Sequence, residues 1–252
     1  MNRLANVLVR SVLITATLGS ASWAVVYFAN SDQSIQLDDI ANRIMSGDAF
    51  RQRPLAALAP VLAAAEDRTL CNPREVRAVA IIRLRQYEEA VSAANTQLAD
   101  EQLRVLRVAT DQALRCVPTE GFLWFIRYWS SLIRGGSAAE HFHELRMSYT
   151  RSPFEGWVAV RRSPYVLAIY ETLPSDLKER ARQEFVAIVG STLVEEASRI
   201  LEGPGWPARK DLLAGLSEVR LDLRMRLDRR LRKDGFNVEI PGVAPTEFRP
   251  WQ

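Results

Sequence analysis

The stretch Val219-Arg220-Leu221-Asp222-Leu223-Arg224-Met225-Arg226-Leu227 alternates apolar and charged residues without a break. Alternation with period two is the pattern of a half-buried strand, and a strand here would make the chain a mixed fold. The same region also carries Leu212, Leu216, Val219, Leu223, Leu227 and Leu231, a stripe at helical spacing. Composition decides between the two. Leu, Met and Arg are good helix formers, whereas strands favour β-branched and aromatic residues. Gly235 stands where a helix-ending glycine belongs. The segment reads as helix, and the chain as all-α.

Upstream, the apolar spacing is helical almost throughout. Ile40 and Ile44 precede Gly47, and Leu55, Leu58 and Leu62 follow Pro54. From Pro73 onward Val76, Val79, Ala80, Leu84, Tyr87 and Val91 share one face. Asp100 reads as the N-cap of a helix carrying Leu103, Leu106, Ala109, Ala113 and Leu114. Pro118 opens the next helix, which Gly135-Gly136 ends, and another helix covers residues 138–149. Pro153 and Pro164 each open a further one. Ser175 caps a long helix whose stripe runs Leu177, Ala181, Phe185, Ile188, Thr192, Ala197, Ile200, before Gly203-Pro204-Gly205 breaks it. Residues 236–240 read as a short extended piece and 241–252 as a loose tail. The absence of any alternation of strand and helix argues against a doubly wound α/β enzyme.

The chain has 252 residues, enough for one sizeable core or a string of helical repeats. Lys plus Arg is 33 against 30 Asp plus Glu, a net charge of +3. Arg3 and Arg10 supply most of that excess, so the body is nearly neutral and gives no case for nucleic acid. Residues 11–29 carry no charge and, as a helix, span about 28 Å, close to one hydrocarbon core. Two arginines precede this run and Asp32, Asp38 and Asp39 follow it. Positive-inside logic then predicts a transmembrane helix within residues 1–30, a cytoplasmic N-terminus and a helical domain over 31–240 outside a bacterial inner membrane. A cleaved signal peptide is the rival, since Gly19-Ser20-Ala21 and Ser22-Trp23-Ala24 offer small residues at the right spacing.

Three segments begin helices in similar words: Cys71-Asn72-Pro73-Arg74-Glu75, Cys116-Val117-Pro118-Thr119-Glu120-Gly121-Phe122, and Ser152-Pro153-Phe154-Glu155-Gly156-Trp157. Each pairs a proline with a glutamate suited to a helix N-terminus. Ala113-Leu114-Arg115-Cys116-Val117-Pro118 resembles the end of a tetratricopeptide repeat, with its small residue, leucine and closing proline. Residues 87–118 match one such repeat in length, with Ala90, Ala93 and Ala94 as the small first-helix residues. Trp129 and His141 depart from the family's small-residue positions. The resemblance covers roughly residues 73–160 and implies stacked antiparallel hairpins that bind protein on a concave surface, without catalysis and without a cofactor.

Cys71 and Cys116 are a candidate disulfide, set against two buried thiols. As equivalent positions of a stack they would lie about 10 Å apart, beyond disulfide reach. His141 and His143 are the only histidines. On a helix they point about 200° apart, so they predict no metal site. The aromatic cluster 122–129 reads mainly as core, with Trp124 and Tyr128 as the candidate partner surface. Residues 209–233 hold nine positive charges against four negative. Within them Arg220, Arg224, Arg226 and Arg230 are candidates for an acidic partner, an anionic polymer or lipid headgroups.

The expectation is therefore a membrane-anchored scaffold or accessory protein that binds other envelope proteins. One alternative is an exported helical enzyme acting on glycans through Glu120 and Glu155, although helix capping already accounts for those residues. The other is a module for membrane surfaces or anionic polymers.

Overall fold

The computed structural model describes residues 2–48, 50, 52–153 and 155–244; the side chains of residues 2–9, 25–33 and 52 lie outside that description. Among the described residues there is no strand. In place of a single domain over 31–240, the chain divides into two compact units, Met1–Cys116 and Val117–Gln252.

The first unit holds α1 (Asn2–Met45), α2 (Gln52–Ala56), α3 (Ala59–Glu66), α4 (Pro73–Ser92) and α5 (Thr96–Cys116). Its centre is α4, where residues 78–84 are all buried. A helix buried around its girth needs cover on several sides. Here α1 and α5 supply most of it, with α2 and α3. From α1 come Leu37, Ala41 and Ile44; from α5 come Leu103, Leu106, Ala109, Ala113 and Leu114. The end of α1 is set by Gly47, at φ 94°. Gly47 N–H donates to Ile44 O and Asp48 N–H to Arg43 O, which together satisfy two orphan carbonyls. At the other turn Asn95, not Asp100, caps α5: its side chain accepts from Leu98 N–H at 3.0 Å.

Among the described residues no helix is long and apolar enough to cross a membrane. This overturns the transmembrane anchor expected over residues 11–29, and with it the signal-anchor reading and the single-pass inner-membrane placement. The physical reason lies in α1 itself. The helix continues through the uncharged run to Met45, and its second half is part of the folded unit. Within the run, Ser11, Thr15, Thr17, Gly19, Ser20 and Ser22 dilute the apolar side chains. Thr15, Thr17 and Ser20 return their hydroxyls to carbonyls four residues back. The side chains of residues 25–29, the remainder of the run, lie outside the described set.

The second unit holds α6 (Gly121–Ile133), α7 (Phe142–Arg151), α8 (Gly156–Leu167), α9 (Ser175–Gly190), α10 (Val194–Glu202), α11 (Arg209–Ala214) and α12 (Leu221–Lys233). Single 3-10 turns cover Ala138–His141, Tyr170–Thr172 and Gly215–Glu218. Helix α6 packs on α7, α8 on α9, and α10 on both α9 and α12. Of the three proline segments, the first differs from the other two. Pro73 is the first residue of α4, whereas Pro118 and Pro153 stand three residues before α6 and α8. In the latter pair the cap is the glutamate: Glu120 has φ −82°, ψ 104° and Glu155 has φ −82°, ψ 99°. Glycine and then an aromatic follow in both, and the two aromatics, Phe122 and Trp157, pack edge-on with ring centroids 4.7 Å apart. Gly121 is required by this approach, since a Cβ there would lie 2.8 Å from the backbone nitrogen of Ser152. Phe154, within the second segment, lies outside the described residues.

Three expected boundaries move. Pro164 opens no helix; it sits in the last turn of α8. The stripe 177–200 is not one helix but two, split at residues 191–193, where Ser191 Oγ accepts from Leu193 N–H at 3.2 Å. A hydroxyl that bonds locally in this way competes with helix continuation, and Thr192 is exposed. The segment 212–231 is buried at all six stripe positions yet broken into α11, a 3-10 turn and α12. Its alternating part is helical from Leu221. Gly235, at φ 89°, ends it: Phe236 N–H reaches Leu231 O and Gly235 N–H reaches Arg232 O. Residues 241–244 lie beside α12, with Arg224 donating to Pro241 O; the remaining tail, 245–252, is outside the described residues.

Candidate functional site

In the first unit, Cys71 and Cys116 are bonded, with Cα atoms 5.6 Å apart. They are not neighbours in a stack of equivalent positions. One precedes α4 and the other ends α5, so the bond closes the open end of a single hairpin. That geometry removes the distance objection raised by the repeat picture.

Beside the disulfide is a cavity of about 260 Å³. It lies at the start of α4, where Pro73 is pre-organised for the first turn and Asn72 caps it. Glu75, on the same turn, is 2% exposed. Its Oε2 accepts from Arg68 Nη1 at 2.7 Å and from Ser34 Oγ of α1. Asn72 Nδ2 in turn donates to Ser34 Oγ at 3.1 Å. The other oxygen, Oε1, is buried and accepts no hydrogen bond. Leaving such an acceptor unsatisfied costs about 1–3 kcal/mol. Sequence reading placed Glu75 only as a helix-dipole partner; Ser34, 41 residues away, gives no local signal of the contact.

The second unit contains a buried ionic cluster that nothing in the sequence pattern announced. Arg162 is 0% exposed and Glu184 4%. Arg162 Nε donates to Glu184 Oε2 at 3.0 Å, Nη1 to Ser148 Oγ at 2.8 Å and Nη2 to Ser152 O at 3.2 Å. Ser163 Oγ donates to Glu184 Oε1 at 2.9 Å, and the guanidinium lies 3.9 Å from the Tyr149 ring centre. Burial first, then the Glu184 charge, pushes the Tyr149 hydroxyl well above its ordinary pKa. The cluster ties α7, α8 and α9 together, and its polar groups face one another rather than solvent. It braces the three helices against one another.

The candidate partner residues are scattered. Trp124 is half-buried and donates its indole N–H to Pro118 O at 2.8 Å. Tyr128 is 0% exposed and belongs to the core, which corrects its assignment to a partner surface. Arg220 is exposed and pairs with Asp222 at 2.9 Å. Arg230 spans Glu195 at 2.9 Å and Asp234 at 2.8 Å. Arg224 is half-buried on Pro241 O, and Arg226 is exposed. Much of the expected basic patch is thus compensated internally. His141 Nδ1 lies 3.5 Å from Glu144 Oε1, and His143 is edge-on to Trp124. Among the described residues no group of three side chains is placed to hold a metal ion. Glu120 and Glu155 sit at the N-caps of α6 and α8, with Glu155 Oε1 accepting from Ser152 Oγ at 3.1 Å.

No family model, curated protein or solved structure matches the chain.

Burial alone raises the Tyr128 pKa to about 12, and its hydroxyl has no partner. The folded state therefore keeps this proton after the unfolded chain releases it near pH 10, so stability is intact below about pH 10 and falls above it by about 1.4 kcal/mol per pH unit until about pH 12. Tyr128→Phe should match the parent at neutral pH and lose stability less steeply in alkali. Urea midpoints at about pH 8 and about pH 11 measure this; equal alkaline losses in the two proteins would refute it.

Proposed function

We propose that the protein is a helical scaffold whose α1 docks a partner protein. The observation that carries this reading is the first half of α1. Val12, Leu13, Ile14, Leu18 and Trp23 are 58–69% exposed, and no described side chain from Arg10 to Trp23 is buried. These side chains lie on more than one face of the helix, Ile14 and Leu18 one turn apart on a shared face, and several large apolar side chains left exposed together mark an interaction site on a folded protein. The helix is already formed, so a partner incurs little ordering entropy in binding it. Spacing of i, i+4 between Ile14 and Leu18 suits an apolar groove or a second amphipathic helix. The helical-hairpin composition of both units supports a scaffold role, and the resemblance of residues 73–160 to tetratricopeptide repeats points the same way.

The test is photo-crosslinking from position 18 of the full chain in its native cells, followed by reconstitution with the purified adduct protein. One reproducible protein adduct is expected, and Leu13→Asp with Leu18→Asp should abolish both adduct and reconstituted binding. Adducts to lipid alone, or binding that survives both substitutions, would overturn the reading.

A further inference from the structure

We propose that the cavity beside Cys71–Cys116 binds a small aliphatic α-amino acid, its ammonium group donating to Glu75 Oε1 and its carboxylate facing Arg115. Four features of the site converge on this chemistry, and none depends on the docking role of α1. Glu75 is almost completely buried, lines the cavity, and has one oxygen fully engaged and the other without a donor. A carboxylate oxygen in a low-dielectric recess is best met by a cationic donor, because charge-assisted hydrogen bonds are roughly twice as strong as neutral ones. The second feature is Arg115, which also lines the cavity and is exposed. Among the described residues no carboxylate pairs with it, whereas Arg68 is committed to Glu75. A ligand with both poles satisfies Glu75 and Arg115 together.

The third feature is the apolar part of the lining, Val76, Val79 and Ala109 from α4 and α5, which suits an aliphatic side chain. The fourth is size. At about 260 Å³ the cavity falls below the range of about 300–1,000 Å³ common for drug-sized ligands, so the occupant is compact.

The measurement is calorimetric titration of the intact oxidised chain with valine, alanine and leucine. Isobutylamine, isovalerate and α-hydroxyisovalerate serve as ligands lacking one pole or the charged donor. At least one of the three amino acids should bind saturably, and each matched analogue should bind at least about tenfold more weakly. Arg115→Ala alters an exposed, unpaired side chain, so the fold is retained. It should weaken the amino acid by about tenfold and leave isobutylamine unchanged. Glu75→Gln should weaken both, with circular dichroism checking that α4 still forms. No saturable heat with any of the three amino acids would overturn the proposal, as water alone would then serve Glu75. So would hydroxy acid binding equal to that of the amino acid, or an Arg115→Ala variant that binds like the parent.

Discussion

Arg162→Ala should destabilise the second unit by about 3–5 kcal/mol, the cost of stranding a buried charge when its partner is removed. Glu184 would keep its place between α8 and α9 with its strongest donor gone, and Ser148 Oγ and Ser152 O would each lose a hydrogen bond. The volume vacated by a fully buried arginine adds a cavity cost in the same direction. Replacing both charges by apolar residues, Arg162→Met with Glu184→Leu, should cost much less, because no uncompensated charge remains. Trp124, Trp129, Trp157 and Trp206 all lie in this unit, while Trp23 of the first unit is already 69% exposed and changes little on unfolding, so fluorescence-detected urea unfolding follows mainly the second unit. A double variant no better than Arg162→Ala would show that specific geometry, not charge burial, dominates.

The second large effect concerns the disulfide. Cys71→Ser with Cys116→Ser should cost the first unit about 4 kcal/mol, the loop entropy expected when a cross-link over 45 residues is removed. The loss should concentrate where the bond acts, at the first turn of α4 and the last of α5. Amide hydrogen exchange is the suitable probe, because it resolves local opening. Protection across Pro73–Ser92 and Thr96–Cys116 should fall in the double variant and fall equally in the reduced parent. Unchanged exchange at both helix ends would mean that packing of α4 against α1 and α5 holds the hairpin by itself.

These two features show where sequence reading succeeds and where it stops. The helical character of 212–231 was legible because all six stripe residues had to reach one core, and all six are buried. Its breaks were not legible, since the 3-10 turn at Gly215–Glu218 interrupts the helix while Leu216 stays buried with the rest of the stripe. Gly47 and Gly235 were legible as helix ends because positive φ is a property of the glycine itself. Asp100 was misread because Asn95, five residues earlier, offers the same chemistry at the actual turn. Arg162 carries no local signal of its role, because its partner lies 22 positions away on another helix, a distance no local pattern spans. The same holds for Ser34 and Glu75. The cysteines were paired correctly as candidates, but their proximity depends on which helix ends meet, a tertiary fact.

Because α1 is one unbroken helix from Asn2 to Met45, its two halves are mechanically one lever. Trp23 and Ser34 stand about 16 Å apart along it at 1.5 Å per residue. Sliding the rod by a single turn, about 5.4 Å, would pull the Ser34 hydroxyl out of reach of the Glu75 carboxylate. Whatever grips the outer arm therefore also fixes the register of the inner one, and a load applied at residue 18 is felt at the first turn of α4.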